Sequence, residues 1–166
     1  AGMPDHGNPR SVTREQVETW HREGLVRWLG HVEDKPALMR SVDAMVLPSY
    51  NREGVPKSLI EGAACGLAIV TTNLAGCREV VSDDGVDGLH VRPRDHAHLA
   101  QCLARLDDDR ALLRRLGDRA RAKAMADFDE RMVIRRTIEV YDELLRDRRV
   151  ARGEGARGLE RERAQA

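Results

Sequence analysis

The chain has 166 residues, of which 41% are hydrophobic and 34% charged, a composition typical of one soluble domain with its own core. Lys plus Arg and Asp plus Glu each number 28, so no overall charge favours nucleic acid or a membrane surface. Aromatic residues make up 3%, which argues against a base-stacking surface, and no stretch approaches the roughly 18 apolar residues of a membrane span.

The first part of the chain alternates predicted helices with short apolar runs. Thr13, followed three residues later by Gln16, predicts a capped helix that stops at Gly24. Apolar runs without regular polar alternation are typical of strands buried on both faces, and four such runs follow, at 25–32, 44–50, 67–72 and 88–93. The segments between them predict helices at 33–43, 56–65 and 76–84. This alternation predicts an α/β fold with a mainly parallel sheet of about four strands.

The chain after residue 95 is predicted to be helical. Asp95 is placed to cap a helix whose apolar residues recur at helical spacing, at Leu99, Cys102, Leu103 and Leu106. Asp127 and the two residues after it offer a further cap, which favours two consecutive helices over one long helix. We therefore divide the chain into an α/β domain, C-terminal helices packing on it and a disordered tail, at residues 1–108, 109–148 and 149–166.

The cysteines and histidines do not form a metal motif. The three cysteines are widely spaced, so neither a zinc site nor a disulfide framework is indicated, and buried or half-buried thiols are expected at Cys65, Cys77 and Cys102. His96 and His98 stand two positions apart and cannot share a helix face. We predict no metal site.

The stretch NREGVPKSLIEG, residues 51–62, leads from a predicted strand into a predicted helix. In an open parallel sheet, ligands bind outside the carboxyl ends of the strands, where such helices begin. Gly54 allows the backbone to approach a ligand closely, and Pro56 suits the first helical position. The free N–H groups of the first helical turn then predict a phosphate site at Lys57, Ser58 and Leu59.

Two acids flank this predicted phosphate site. Glu61 lies just over one turn into the helix, where a carboxylate would repel phosphate but accept two hydrogen bonds from a ribose diol. Glu53 precedes the helix, where it is placed to meet hydroxyls on the far side of the phosphates. Hydroxyls at both ends with a diphosphate between them describe a nucleotide-sugar. Taken alone, the acids have a second explanation, because acidic residues favour the first turn of any helix.

Further motifs follow in order within LPSYNREGVPKSLIEGAACGLAIVTTNLAGCREVVSDDGVDGLHVRPRDHAHLA, residues 47–100. A strand ending in Pro-Ser leads to Glu53-Gly54-Val55-Pro56 and then to Glu61, with Gly-Cys-Arg-Glu at 76–79 and Gly-Leu-His-Val-Arg-Pro at 88–93. Together these motifs resemble the C-terminal, nucleotide-sugar-binding half of the retaining glycosyltransferases of family 4, over residues 2–145. GNPRS and VRWLGHVED are similar to bacterial enzymes that build surface polysaccharides on lipid carriers.

The resemblance implies a partial Rossmann-like domain from an enzyme in which two such domains face each other. It implies donor-sugar contacts at Glu53, Gly54, Val55 and Pro56, diphosphate contacts at Lys57, Ser58 and Leu59, and nucleotide contacts at Glu61, His31 and Val32. The donor would be a UDP-sugar and the acceptor a lipid-linked or polysaccharide glycan. The enzyme would be a retaining hexosyl- or N-acetylhexosaminyltransferase that needs no metal or cofactor. Its catalytic residues stay unknown, because the resemblance assigns them to an N-terminal domain that the chain is expected to lack.

The sequence also departs from the family pattern. Three residues, Tyr50-Asn51-Arg52, separate Pro-Ser from Glu-Gly where the family usually has two. The basic pair that clamps the diphosphate in the family is missing, and Arg52 and Lys57 are the cations expected nearby, so we expect the chain alone to be inactive.

Two alternative hypotheses stay open. One is a non-catalytic nucleotide-sugar-binding module. The other is a protein-interaction module that self-associates through its C-terminal helices, where Tyr141, Leu144 and Leu145 are apolar. The protein is expected in the cytoplasm, where its basic tail would allow a peripheral position at the inner face of the membrane.

Overall fold

The structure, a computed structural model, describes residues 1–5, 7–8, 11–51 and 54–163, with side chains described up to residue 146. This part of the chain has seven helices and three strands; the strands alternate with helices, and three helices follow the last strand. Their bounds are α1 (Arg14–Arg22), α2 (Lys35–Arg40), β1 (Ala44–Leu47), α3 (Lys57–Ala64), β2 (Ala68–Thr72), α4 (Ala75–Val80), β3 (Leu89–Val91), α5 (His96–Asp108), α6 (Arg110–Asp127) and α7 (Glu130–Arg163).

The strands form one parallel sheet in the order β1-β2-β3. Ala44 pairs with Ala68 across the first two strands, and Val70 pairs with Leu89 across the second two. The α/β class and the parallel sheet predicted from the sequence are therefore confirmed. All five residues of β2 are buried, as expected of a central strand with helices on both faces.

The prediction of a fourth strand at 25–32 is wrong, because the described part of the sheet has three strands. The N–H groups of Leu25 and Val26 both donate to Trp20 O, at 2.9 and 3.3 Å, so they bond locally. Gly30 has a φ of 60°, in the left-handed region that interrupts an extended run. Leu25 is 68% exposed, so the apolar character of this run does not reflect burial between two layers.

Several local predictions are confirmed. Thr13 and Gln16 form the predicted capping box at the start of α1, and Asp95 caps α5 by accepting a hydrogen bond from His98 N–H. α6 ends before Phe128, so two helices follow Asp109. The three cysteines are free thiols, with Cys65 half-buried and Cys77 and Cys102 buried. Pro56 lies at the N-cap of α3 rather than at its first helical position.

The core has two parts, one on each face of the sheet. One is formed mainly by α3, α4 and α6 and centres on Leu59, Ile69, Val81 and Ala120. The other lies under α5 and the first turns of α6 and centres on Val70, Leu89, Leu106 and Leu116. α6 therefore contributes to both parts, and its packing supports the position of α3.

α7 projects an apolar face that the described residues leave uncovered. Seven of its apolar side chains are half exposed or more: Val133, Ile134, Ile138, Val140, Tyr141, Leu144 and Leu145. The sequence predicted a disordered tail from residue 149, whereas the backbone is helical to Arg163. Arg, Glu and Ala make up most of this segment and are good helix formers, although it also contains Gly153, Gly155 and Gly158. Among the described helices, none is both long and apolar enough to cross a membrane.

Candidate functional site

The candidate site lies at the carboxyl ends of the strands. β1 ends at Leu47, and the connection from there reaches α3 at Lys57. Two buried threonines at the end of β2 hold the start of this connection: Thr71 Oγ1 donates to Leu47 O at 2.8 Å, and Thr72 Oγ1 donates to Ser49 O at 2.6 Å. The connection therefore leaves the sheet in a fixed direction.

The first turn of α3 presents two free backbone donors. Leu59 N–H and Ile60 N–H both donate to Pro56 O, at 3.0 and 3.3 Å. Within the described residues, the N–H groups of Lys57 and Ser58 have no such partner. They stand at the positive end of the helix dipole, where an anion is stabilised. Leu59 differs from them, because its amide is bonded and its side chain is fully buried.

Glu61 stands one turn further along α3. Its side chain is 33% exposed, and Lys57 Nζ lies 3.9 Å from Glu61 Oε1. The Lys57 side chain is 89% exposed, so this ion pair contributes little stability and is free to rearrange around a ligand. The residue after Glu61 is Gly62, where a Cβ would lie 2.9 Å from Met45 Cβ, so α3 packs closely on β1 beside Glu61.

A cleft of 450 Å³ opens beside α3, between α2, β1 and the segment that precedes α2. Glu61 and Ser58 line it from α3, and His31 and Val32 line it from the opposite wall. Most of the remaining lining is apolar, with contributions from Leu29, Leu38, Met39, Val42, Met45 and Leu67. An apolar cleft with a few convergent polar groups is the usual form of a small-molecule site.

Comparison with known proteins identifies the family. The family model described as Glycosyl transferases group 1 matches residues 4–109. The chain belongs to this family. The resemblance to family 4 glycosyltransferases, seen first in the motifs, is thereby confirmed.

Individual relatives share this family. The N,N'-diacetylbacillosaminyl-diphospho-undecaprenol alpha-1,3-N-acetylgalactosaminyltransferase of Campylobacter jejuni is 34% identical over 140 residues, which cover 84% of this chain and 35% of that protein. Anabaena HepE in complex with UDP superposes with a TM-score of 0.76 at 26% identity, covering 86% of this chain and 39% of that one. The same protein in complex with UDP-glucose gives a TM-score of 0.71 at 25% identity, covering 78% and 36%. The chain thus spans little more than a third of the length of these two proteins.

The structure brings together part of the residue set that the family resemblance implied. His31, Val32, Ser58 and Glu61 line one cleft, although the first two are distant in sequence from the others. Gly54 and Val55 lie exposed next to the start of α3, and a Cβ at Gly54 would meet nothing within 4 Å, so there is room for a ligand. Glu53 and Arg52 lie outside the described residues.

Sequence reasoning missed four residues of this site. Arg27 and Lys35 line the cleft, so Arg52 and Lys57 are not the only cations near it. Arg27 lies within VRWLGHVED and Lys35 follows it directly, but nothing in that motif assigned either residue to a binding site. The anchoring residues Thr71 and Thr72 had a weak signal, a pair of hydroxyl residues at the carboxyl end of a buried strand. Among the described residues, no group of three or more His, Cys, Asp or Glu side chains could hold a metal ion.

Proposed function

We propose that the chain binds the nucleotide-sugar donor of a glycosyltransferase, in the cleft beside α3. The observation that carries the proposal is that His31, Val32, Ser58 and Glu61 line one cleft, which lies beside β1 and the first turns of α3. In this proposal the ribose and base lie between Glu61 and the His31–Val32 wall. The diphosphate lies at the free amides of Lys57 and Ser58, with Leu59 supporting this turn from the core.

The charges of the cleft support a diphosphate ligand. Arg27 and Lys35 line the cleft, and Lys57 stands at its edge on α3, so three cations face the single carboxylate of Glu61. A concave site with an excess of one charge attracts ligands of the opposite charge. The Glu61 carboxylate suits the two ribose hydroxyls, because an ionised carboxylate is an acceptor with two oxygens.

The sugar of the donor is assigned to the connection before α3. Glu53, Gly54, Val55 and Pro56 are proposed to contact it, as the family resemblance implies. The complexes of HepE with UDP and UDP-glucose support a UDP-sugar as donor. The Campylobacter relative is named for N-acetylgalactosaminyl transfer to a lipid-linked diphosphate, which supports a hexosyl- or N-acetylhexosaminyltransferase acting on a lipid-linked or polysaccharide glycan.

The chain by itself is proposed to bind the donor without transferring the sugar. It spans 35% of the Campylobacter relative and 39% of HepE, so the greater part of each enzyme has no counterpart in it. Acceptor binding and catalytic groups are assigned to that other part. Sugar transfer from UDP-glucose by the 166-residue chain alone would contradict this second half of the proposal.

Titration calorimetry with UDP tests the proposed binding site. Replacing the charged acceptor of Glu61 by a neutral amide of the same size, in Glu61→Gln, is expected to weaken UDP binding by about 10- to 100-fold, the value of hydrogen bonds to a charged group. The control ligand is 2′,3′-dideoxyuridine diphosphate, which lacks the ribose hydroxyls. Its affinity should hardly change in Glu61→Gln.

Glu139→Gln is the matched control variant, because Glu139 is exposed on α7, away from the cleft. It should bind UDP like the wild type. Wild-type affinity of Glu61→Gln for UDP would refute the ribose assignment, and so would an equal loss for both ligands. Absence of UDP binding by the wild-type chain would refute the donor site as a whole.

A further inference from the structure

Tyr50 and Arg94 form a contact above the carboxyl end of the sheet, and neither residue belongs to the site described so far. The Arg94 guanidinium carbon lies 4.8 Å from the centre of the Tyr50 ring, which is a cation–π contact. Tyr50 follows β1 and Arg94 follows β3, and β2 separates these two strands. Because neighbouring strands are about 4.8 Å apart, the pair joins two loops whose strands are separated by about 10 Å.

The turn that carries Arg94 is firmly built. Arg92 Nε donates to Asp95 Oδ2 at 2.8 Å, and Asp95 N–H donates back to Arg92 O at 3.2 Å. The other oxygen of Asp95 caps α5 by accepting from His98 N–H at 2.8 Å. Arg94 thus projects from a turn that is fixed to the beginning of α5.

The backbone of Arg94 is strained. Its φ is 60°, and among the described residues it is the only one other than glycine with a positive φ. A side chain in this region costs free energy that glycine would not cost, and such residues persist where the surroundings or the function require them. The side chain at this position is therefore expected to have a role that outweighs the strain, and its described contact is with Tyr50.

Tyr50 follows directly after the residue at which the connection from β1 to α3 is hydrogen-bonded to the end of β2. The preceding residue is held by the Thr72 hydroxyl bond to Ser49 O, and α3 is held by the buried Leu59 side chain. Between these anchors, Gly54 and Val55 are exposed. The Arg94 contact thus restrains the connection on its exposed side, next to the proposed place of the donor sugar.

We propose that Arg94 is a positioning residue that holds Tyr50 and so restrains Gly54 and Val55 for the sugar part of the donor. The proposal rests on the proposed function, because it assigns the Tyr50–Arg94 contact to the same site. Arg94 acts through Tyr50 and not by contact with the reacting atoms. The proposal predicts that loss of the contact weakens the binding of UDP-glucose more than that of UDP, because in the proposed site the ribose and base lie on the far side of the first turn of α3.

The test compares the affinities of UDP-glucose and UDP for the 166-residue chain and for Arg94→Gly, Tyr50→Leu and the double variant. Arg94→Gly should lower the ratio of UDP-glucose affinity to UDP affinity by about two- to fivefold, the range of an exposed cation–π contact. Its melting temperature should not fall, because glycine relieves the positive φ. The double variant should lose no more than either single variant, and Arg94→Lys should restore part of the ratio.

A second readout needs no ligand. Backbone order parameters of Gly54 and Val55, from 15N relaxation, should fall in Arg94→Gly and in Tyr50→Leu and fall no further in the double variant. Unchanged order parameters at these two residues, or an unchanged affinity ratio in Arg94→Gly, would overturn the proposal. Failure of the wild-type chain to bind UDP refutes the proposed function instead, and the order parameters then decide whether the Tyr50–Arg94 contact restrains Gly54 and Val55.

Discussion

Gly117 packs against the backbone of the turn after α3, and replacing it by alanine tests how α6 supports the site. Gly117 lies on the face of α6 that packs on the turn after α3. A Cβ at this position would lie 2.2 Å from Gly66 O and 3.1 Å from Gly66 C. Both are backbone atoms, so no rotamer change relieves the clash. Moving from 2.2 Å to the 3.4 Å at which ordinary contact begins requires α6 to withdraw by about 1.2 Å.

The expected change in the free energy of unfolding follows from two opposing effects. Overpacking a well-packed core costs about 1–3 kcal/mol, and the upper value applies here because backbone must move and buried Leu116 and Ala120 move with it. Alanine is a better helix former than glycine by about 1 kcal/mol, which offsets part of this cost. The net loss in the free energy of unfolding is therefore expected to be about 2 kcal/mol, which lowers the melting temperature of a chain of this length by about 4–8 °C.

Thermal unfolding followed by circular dichroism measures this change. Arg119→Ala is the matched control, because Arg119 is an exposed residue of the same helix, and its substitution should stay within about 0.5 kcal/mol of the wild type. If Gly117→Ala melts at or above the wild-type temperature, helix propensity outweighs the clash. The argument that α6 fixes the turn after α3 by close backbone contact would then be refuted.

Two further outcomes can be measured with the same unfolding assay. Thr72→Val keeps the shape of the side chain and removes its hydrogen bond to Ser49 O, so it should lower the free energy of unfolding by about 1 kcal/mol. The control Thr137→Val, on exposed α7, should lower it much less. Equal effects of the two substitutions would contradict the anchoring role of Thr72. The hydrogen bond from His98 N–H holds the pKa of the Asp95 carboxyl below its ordinary 3.8, so its contribution to stability is present above pH 3.8 and is lost as the pH falls through the lower, folded-state pKa. The difference in melting temperature between the wild type and Asp95→Asn should accordingly shrink on acidification below pH 3.8, and a difference that grows there would show the opposite sign.

Local sequence signals predicted most of the elements correctly. The capping box of Thr13 and Gln16 and the cap at Asp95 involve residues only three positions apart, so the sequence contains the whole interaction. The β2 run is a similar case, because its apolar and β-branched residues are buried on both faces. Predictions of this kind depend on no distant partner.

The wrong prediction at 25–32 shows where such signals stop. An apolar run indicates that a segment prefers burial, but a strand also needs a neighbour with which to pair, and that neighbour is set by the tertiary fold. Gly30 was visible in the sequence, whereas its left-handed conformation was not. The apolar Leu29 and Val32 line the cleft, so part of the signal came from a binding wall rather than from a sheet.

The site itself was predicted in halves. The half on α3 follows from a strand–loop–helix pattern, which predicts Glu61 and Ser58 as site residues. Arg27 and Lys35 were not predicted, because only the fold shows that they line the cleft. The same reason applies to Tyr50 and Arg94, whose contact joins loops 44 positions apart in the chain.

The two parts of the proposed site, α3 and the connection before it, differ in how firmly they are held. This difference has a consequence for which donors the site would prefer. Glu61 stands beside Gly62, whose backbone approaches Met45 closely, and α3 is held further by the buried Leu59. If Glu61 binds ribose as proposed, a carboxylate on so fixed a backbone would lose little freedom on binding, and the nucleotide part that all UDP-sugars share would gain from this preorganisation. The described residues of the connection before α3 are 48–51 and 54–56, of which Gly54 and Val55 are exposed, and Tyr50 contacts Arg94. Changes in sugar preference are therefore expected from substitutions in this connection, while substitutions on α3 should change the affinity for every UDP-sugar alike.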